Sequence, residues 1–318
     1  MKVGLIAAIA ATFSWSLLYL LPSLIGEYST FDLAVVSYAF AGLGALIVLV
    51  RFRRQVTTLT LGDWLTVGLL GFLGYIGYFF LITSAVIAAG PVIPPVMLGC
   101  VPIVLAIAGN LHSQVIPWRS IAAPLLLGAL GIIMVNASSF ERANGQASQP
   151  AVMVLAGILL SLLAIGFWTA FGLLNERALR TRPGMDPLFW SALLILTCSI
   201  EMVAFLPVGL YLKLSSFVSH SGALDGTSAV LLCGLVQGLA ATLGGAWAWS
   251  IATRSIPLAL GGQLIASETL YATTFGLLIQ QRWPSPLEAL GTATLFLGVT
   301  VAIGQFYRAD QRHRQGSR

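Results

Sequence analysis

A single glutamate interrupts a long apolar segment near the C-terminal end of the chain. Glu268 lies at the centre of GGQLIASETLYATTFGLL (residues 261–278), and no Lys, Arg or other acidic residue occurs between Arg254 and Arg282. A charged side chain at the centre of a bilayer costs about 2.5–3.5 kcal/mol on insertion scales, so such residues face a bundle interior or a water-filled cavity. The position therefore predicts binding of a proton or a cationic substrate group. The alternative is a carboxyl group that stays protonated and hydrogen-bonds to a neighbouring helix.

Aromatic and polar side chains recur at helical spacing in the other apolar segments. Trp15 and Tyr19 share one face of the first segment, and Tyr271 follows Glu268 by about one turn. Polar faces are unfavourable against lipid and predict the lining of a cavity, although tight packing through small residues is the alternative. Aromatic rings around a carboxylate would suit a substrate with an amine and a flat or apolar body. The predicted substrate- or proton-binding residues are Glu268, Trp15, Tyr19, Tyr78, Trp168, Gln237, Trp247 and Tyr271.

Two further acids have other interpretations. Glu201, in TCSIEMVAFLP, is placed nearer the outer end of its segment, where an acidic side chain can extend to the membrane surface. Binding in the cavity is the alternative for this residue. Glu288 follows Pro284 and Pro286 in the first turn of the last segment, and a helix N-terminus favours an acid there. We therefore expect Glu288 to be structural.

The composition identifies the class of protein. Of the 318 residues, 58% are hydrophobic and 8% are charged, whereas soluble domains carry about 25% charged residues. A helix needs about 20 apolar residues to cross a bilayer, and the apolar runs are continuous, without the period-two alternation of a β-barrel strand. The chain is therefore an all-α integral membrane protein. Its three cysteines fall inside apolar runs and do not form a disulfide or zinc framework.

Glycine, proline and charged clusters divide the chain into ten predicted spans. Thirteen of the sixteen Lys and Arg residues then lie on the side of the N-terminus, and Arg142, Lys213 and Arg282 lie on the other. Because cytoplasmic loops are enriched in positive charge, both termini are predicted to be cytoplasmic. The predicted spans are 3–25, 32–50, 64–83, 91–110, 118–136, 151–174, 187–208, 228–251, 257–280 and 285–307.

The two halves of the chain resemble each other weakly but in order. Since each half has five spans, the halves would be inverted copies, which places a substrate site near the midplane between them. The predicted division is a first repeat at 1–140, an extracytoplasmic linker at 141–150, a second repeat at 151–308 and a basic cytoplasmic tail at 309–318. A shift of 166 residues aligns Pro91 with Pro257 and Pro102 with Glu268. A shift of 167 aligns Gly131 with Gly298, and a shift of 153 aligns Trp15 with Trp168.

The fourth predicted span is rich in proline. Proline kinks a spanning helix and frees carbonyl groups, which is tolerated where the helix borders a cavity. The span is interpreted either as a gating element or as a helix with a static kink. Its prolines are Pro91, Pro94, Pro95 and Pro102.

Three segments carry a resemblance to a known family: GYIGYFFLITSAVIAAGPVIPPVMLGCVPIVLAIAGN, LLLGALGIIMV and PSPLEALGTATLFLGVTVAI. They resemble the third and fourth, the fifth and the tenth helices of the drug/metabolite transporter superfamily, EamA-domain branch. The resemblance implies ten helices in two inverted repeats and export of amino acids, other metabolites or drugs. The chain departs from the family pattern in lacking an acid at the ends of helices 4 and 9, and in having Glu268 where helix 9 often carries proline.

These observations predict a secondary active transporter in a bacterial inner membrane. It would move small polar metabolites such as amino acids or related amines by alternating access, with proton-coupled export. The alternative is a transporter of choline-like or drug-like organic cations that uses Glu268 as counter-charge. No metal-ligand cluster, nucleophile arrangement or phosphate-binding loop is present in the sequence, so no enzyme activity, cofactor or nucleic-acid partner is expected.

Overall fold

The computed structural model describes residues 1–90, 93–113, 117–143, 150–217 and 227–316. Within these ranges the regular structure is helical, and ten helical units follow one another in the order of the ten predicted spans. They are α1 (Lys2–Leu20), α2 (Thr30–Arg51), α3 (Leu61–Ala89), α4 (Ile93–Leu98 and Val101–Ser113), α5 (Trp118–Ala143), α6 (Ala151–Arg180), α7 (Pro187–Tyr211), α8 (Thr227–Ser255), α9 (Leu258–Ile279) and α10 (Pro286–Gly316).

Length and apolar composition allow nine of these units, within the described residues, to cross a membrane. The remaining unit, α9, is 22 residues long, but Gln263, Ser267, Glu268 and several glycines and threonines dilute its apolar content. The predicted all-α membrane protein is confirmed. The side of the bundle at which α1 begins is called the N-terminal face below, and the other side the distal face.

Two spans contain a π-helical segment. In α3 this segment is Phe72–Ile76, and in α8 it is Gln237–Gly244. The third helix of each repeat therefore carries the same irregularity. π-Helical segments are rare and are often found at functional sites.

The fourth span is two helices rather than one helix kinked at proline. It breaks at Gly99 and Cys100, between Ile93–Leu98 and Val101–Ser113. Pro94, Pro95 and Pro102 lie in the first turns of these helices, where a missing backbone N–H is tolerated. Pro91 lies outside the described residues.

The helix contacts repeat when the two halves are exchanged. α1 packs against α8 and α9, and α6 packs correspondingly against α3 and α4; α2 packs on α7, α4 on α9, and α5 on α10. At the α5–α10 contact the helices approach so closely that only glycine fits. A side-chain carbon added to Gly131 would lie within 2.8 Å of the backbone of Leu295 and Gly291. One added to Gly298 would lie 3.1 Å from the backbone of Gly128. Gly131 and Gly298, aligned in the sequence, thus have equivalent roles.

Some helices extend beyond the predicted spans. α5 continues to Ala143 and α10 to Gly316, so helical backbone enters the predicted linker and the predicted tail. Residues 144–149 of the linker lie outside the described residues. The division of the chain at these boundaries stays a prediction.

Candidate functional site

The N-terminal face is closed by direct backbone contact between α4 and α9. A side-chain carbon at Gly109 would lie 2.6 Å from the backbone nitrogen of Ala259, and one at Gly262 would lie 2.6 Å from that of Ala106. The two helices run antiparallel, and both contacts lie near the end of α4 and the beginning of α9. Helices that cross near one end diverge toward the other, so α4 and α9 separate toward the distal face.

The exposure of α9 changes at Glu268. All residues from Leu258 to Ser267 are buried, whereas those from Glu268 to Gln281 are partly or fully exposed. Glu268 stands at the middle of this 22-residue helix, so the change occurs at half depth. The carboxyl group therefore lies where the buried half of α9 meets its exposed half.

Two tyrosines from different helices approach the Glu268 carboxyl group. Tyr19 of α1 and Tyr78 of α3 both interact with it electrostatically. Tyr19 exposes 57% of its surface. In the described part of the chain, α3 packs closely against neither α1 nor α9, so these side chains reach across a gap. We call this gap between α1, α3 and α9 the vestibule.

A chain of aromatic rings connects the vestibule to the core. The Tyr78 ring centroid lies 5.4 Å from that of Trp168, which lies 5.6 Å from that of Trp15. Trp15 in turn lies 5.4 Å from Trp249 of α8. Trp15 and Trp249 are only 5% and 2% exposed, so they form an apolar floor below the more accessible Tyr19.

Glycine makes room for this floor. A side-chain carbon at Gly245 would lie 2.6 Å from the indole nitrogen of Trp15, and one at Gly261 would lie 3.2 Å from the Trp249 ring. Gly245 directly follows the π-helical segment of α8. The indoles are thus positioned by close contact with α8 and α9.

Ion pairing joins the two halves at the N-terminal face. Two guanidinium nitrogens of Arg182, which follows α6, donate to one carboxylate oxygen of Asp63 at the start of α3, at 2.8 and 3.1 Å. Arg254 donates to the backbone carbonyl of Arg182 at 3.1 Å. The Arg182 guanidinium also lies 5.6 Å from the Trp190 ring centroid. These contacts reinforce the closed side of the bundle.

Five of the eight predicted binding residues belong to one connected group, consisting of Glu268, Tyr19, Tyr78, Trp168 and Trp15. Tyr271 packs elsewhere, with its ring centroid 5.4 Å from that of Phe13.

The two predicted residues of α8 differ in burial. Gln237 is buried, and its side-chain oxygen has no hydrogen-bond partner in the described structure. Trp247 is 43% exposed, and the indole of α8 that packs on Trp15 is that of Trp249. Sequence reasoning missed Trp249. Successive helix residues are about 100° apart, so Trp247 and Trp249 point in nearly opposite directions. Helical periodicity alone did not decide which of the two packs on Trp15.

Two further acids and two tryptophans lie outside this connected group. Glu288 accepts hydrogen bonds from Arg282 at 2.7 and 2.8 Å and from the Ser285 backbone N–H at 2.8 Å, in agreement with the predicted structural role. Trp118 and Trp283 are both exposed. Glu201 lies two residues beyond the middle of Pro187–Tyr211, in the half of the helix toward the distal face.

Fold and helix composition define the chain as a multi-span helical membrane protein. It is 26% identical over 307 residues to the inner membrane protein YtfF of Escherichia coli (strain K12), and the match covers 94% of each chain. A solved crystal structure of another protein matches this chain with a TM-score of 0.74 at 18% sequence identity. The match covers 97% of this chain and 99% of the other chain. At this identity the match shows the fold alone. No protein-family model matches the chain.

Proposed function

We propose that this protein is a secondary active transporter that moves small polar metabolites, such as amino acids or related amines, by alternating access. The observation that carries the proposal is the position of Glu268, a carboxyl group at half depth, where the buried half of α9 gives way to its exposed half. Acidic side chains at this depth typically belong to substrate or ion pathways. The resemblance to drug/metabolite transporters of the EamA branch supports the same proposal.

Alternating access would use the asymmetry of the bundle. In the present conformation α4 and α9 are in contact at the N-terminal face and separate toward the distal face. In the opposite conformation the two helices would be in contact beyond Glu268 and separate at Gly109 and Gly262. Rocking of one repeat against the other around a fixed midplane site accomplishes this exchange.

Proton exchange follows from the chemistry of a single carboxyl group. Glu268 can hold a proton or pair with the ammonium group of a substrate, and the two occupants compete for the same oxygens. A substrate that arrives from one side therefore displaces the proton, and a proton that arrives from the other side displaces the substrate. This competition produces antiport. The energy comes from the proton gradient, and the transport needs no cofactor and no catalytic residue.

The location and orientation of the protein are part of the proposal. The relative from Escherichia coli is an inner membrane protein, and we place this chain in the inner membrane of a bacterium. The excess of Lys and Arg on the side of the N-terminus puts both termini in the cytoplasm. The vestibule then opens away from the cytoplasm, and export begins when the bundle switches to the opposite conformation.

Transport into proteoliposomes under an imposed pH gradient tests the proposal. Candidate substrates are first selected by a thermal-stability screen of the purified protein against amino acids, amines and nucleosides. The Glu268→Gln variant keeps the side-chain size but cannot exchange a proton, and it should lose gradient-driven accumulation. Glu27→Gln, at an exposed acid, is the matched control. Equal accumulation by wild type and Glu268→Gln would exclude the coupling role.

An organic-cation transporter is the second candidate, and the aromatic rings beside the carboxyl group favour it. Tyr78, Trp168 and Trp15 form a continuous set of rings at centroid distances of 5.4 and 5.6 Å, and ring faces attract quaternary ammonium groups. Competition of the transported substrate by choline-like amines would support this candidate. Indifference to these amines, together with competition by amino acids, would favour the first.

A further inference from the structure

Glu201 is a second membrane-embedded acid, and the vestibule does not use it. It lies two residues beyond the middle of α7, on the side of that helix that faces α3. Its Oε1 atom would be 3.9 Å from a side-chain carbon at Gly68, and its Oε2 atom 3.5 Å from one at Gly71. The carboxyl group therefore occupies a space that two glycines of α3 leave open.

Three polar atoms surround the point at which a side-chain carbon on Gly71 would lie. Besides Glu201 Oε2, Cys198 Sγ lies 3.0 Å and Thr197 Oγ1 3.2 Å from this point. The Thr197 hydroxyl donates to backbone carbonyls, at 2.8 Å to Leu194 and at 3.2 Å to Val67. Its single proton is thus directed away from the carboxyl group, and its lone pairs are available to accept.

The buried carboxyl oxygen has no partner that would stabilise a negative charge. Glu201 Oε2 is buried and makes no hydrogen bond in the described structure, and the same is true of the Tyr75 hydroxyl in the same interface. Among the described residues no cationic side chain interacts with Glu201. Glu201 as a whole is partly exposed, but it lies within a membrane-spanning helix, and there a carboxylate with a buried, unpartnered oxygen and no counter-charge is strongly unfavourable, so the group is neutral.

None of the other groups that face this space would stabilise a negative charge on Glu201. The titratable groups around it are Cys198 on α7, Tyr38 on α2 and Tyr75 on α3, which in apolar surroundings are uncharged at neutral pH. α8 also packs on α7, and its cation, Arg254, is at the N-terminal face with the Arg182 carbonyl. The space therefore contains acceptors and neutral groups only.

We propose that Glu201 is a second proton-binding site, which holds one proton in this conformation, in the interface of α2, α3 and α7. The site is separate from the vestibule and does not depend on the proposed transport function. Gly68 and Gly71 cover the carboxyl group, and the π-helical segment of α3 begins at Phe72. Movement of α3 relative to α7 would therefore change the surroundings of the buried oxygen, whereas the residue as a whole is partly exposed.

Infrared spectroscopy of the full chain in lipid nanodiscs, without substrate or gradient, tests the site. At neutral pH the difference spectrum of wild type minus Glu201→Gln should contain the carbonyl stretch of one protonated carboxyl group, shifted in D2O. The band should persist when both proteins also carry Glu268→Gln. A difference spectrum with carboxylate bands in its place would overturn the proposal.

A second variant covers a failure of Glu201→Gln to fold. Glu201→Asp keeps an acid on a shorter side chain, and it should move the protonated band without removing it. Gly71→Ala adds a methyl group 3.5 Å from Oε2 and should shift the same band. Identical spectra for wild type and Glu201→Asp would contradict the assignment. The infrared experiment measures the protonation of Glu201 and no transport. Its result is therefore independent of the transport result for Glu268→Gln.

Discussion

The hydroxyl oxygens of Thr12 and Ser267 lie 2.9 Å apart in a buried hydrogen bond that joins α1 to α9. Ser267 is the last buried residue of α9 before Glu268. The bond therefore fixes the depth at which the carboxyl group enters the vestibule. Each hydroxyl also approaches a carbonyl of its own helix, Thr12 that of Ile9 at 3.0 Å and Ser267 that of Leu264 at 2.7 Å.

A double-mutant cycle with Thr12→Val and Ser267→Ala should reveal this contact. Hydrogen bonds between helices in a membrane are worth about 0.6 kcal/mol on average and up to about 1.7 kcal/mol, so we expect a coupling in this range. The measurement is the free energy of unfolding in detergent micelles. Thr274→Val removes an exposed hydroxyl that bonds within α9, and it should show no coupling to Thr12→Val. Additive effects of Thr12→Val and Ser267→Ala would mean that the bond contributes nothing.

The contact between α4 and α9 predicts opposite effects for two glycines of one helix. Gly262→Ala would place a methyl group 2.6 Å from the Ala106 backbone nitrogen, and overpacking of this kind costs about 1–3 kcal/mol. Gly276 has nothing within 4 Å of its side-chain position, so Gly276→Ala should stabilise by about 0.5–1 kcal/mol through helix propensity. Thermal unfolding of the two variants distinguishes these results. Equal stability of the two would argue against a closed N-terminal face.

The two tryptophans of α8 should differ in their effect on transport. Trp249 packs on Trp15, with ring centroids 5.4 Å apart, and such aromatic pairs are worth about 0.5–1.5 kcal/mol. Because Trp249 supports Trp15 below the vestibule, Trp249→Phe should raise the KM of a transported substrate by up to about tenfold, which corresponds to about 1.4 kcal/mol. Trp247→Phe, at an exposed ring, should leave KM within twofold. The reverse order of effects would move the binding site to the Trp247 side of α8.

The ion pair between Arg182 and Asp63 should hold the start of α3 against the second repeat. Arg182→Gln leaves the hydrogen bonds of Asp63 with Thr60 intact. Since partly exposed ion pairs contribute about 0.2–1 kcal/mol, amide hydrogen exchange in residues 61–66 should accelerate by up to about fivefold. Arg180→Gln, which removes a pair within α6, is the control. Unchanged exchange in Arg182→Gln would show that the pair does not hold the closed side.

The sequence by itself determined the membrane class, the number and order of the helices and the central position of Glu268. These properties depend on composition, apolar length and single charges, which are local quantities with large energies in a bilayer. The alignment of Gly131 with Gly298 also held, because both glycines allow the same close approach of α5 and α10.

Only the tertiary structure decided which side chains meet. Periodicity gives the faces of a helix but not their partners, so it did not separate Trp249 from Trp247 or place Glu201 against the glycines of α3. The break of α4 at Gly99 and Cys100 and the contact of Gly109 with Ala259 also depend on pairing between distant segments. Crossing points and rotations of helices result from packing over the whole bundle, and no short stretch of sequence contains that information.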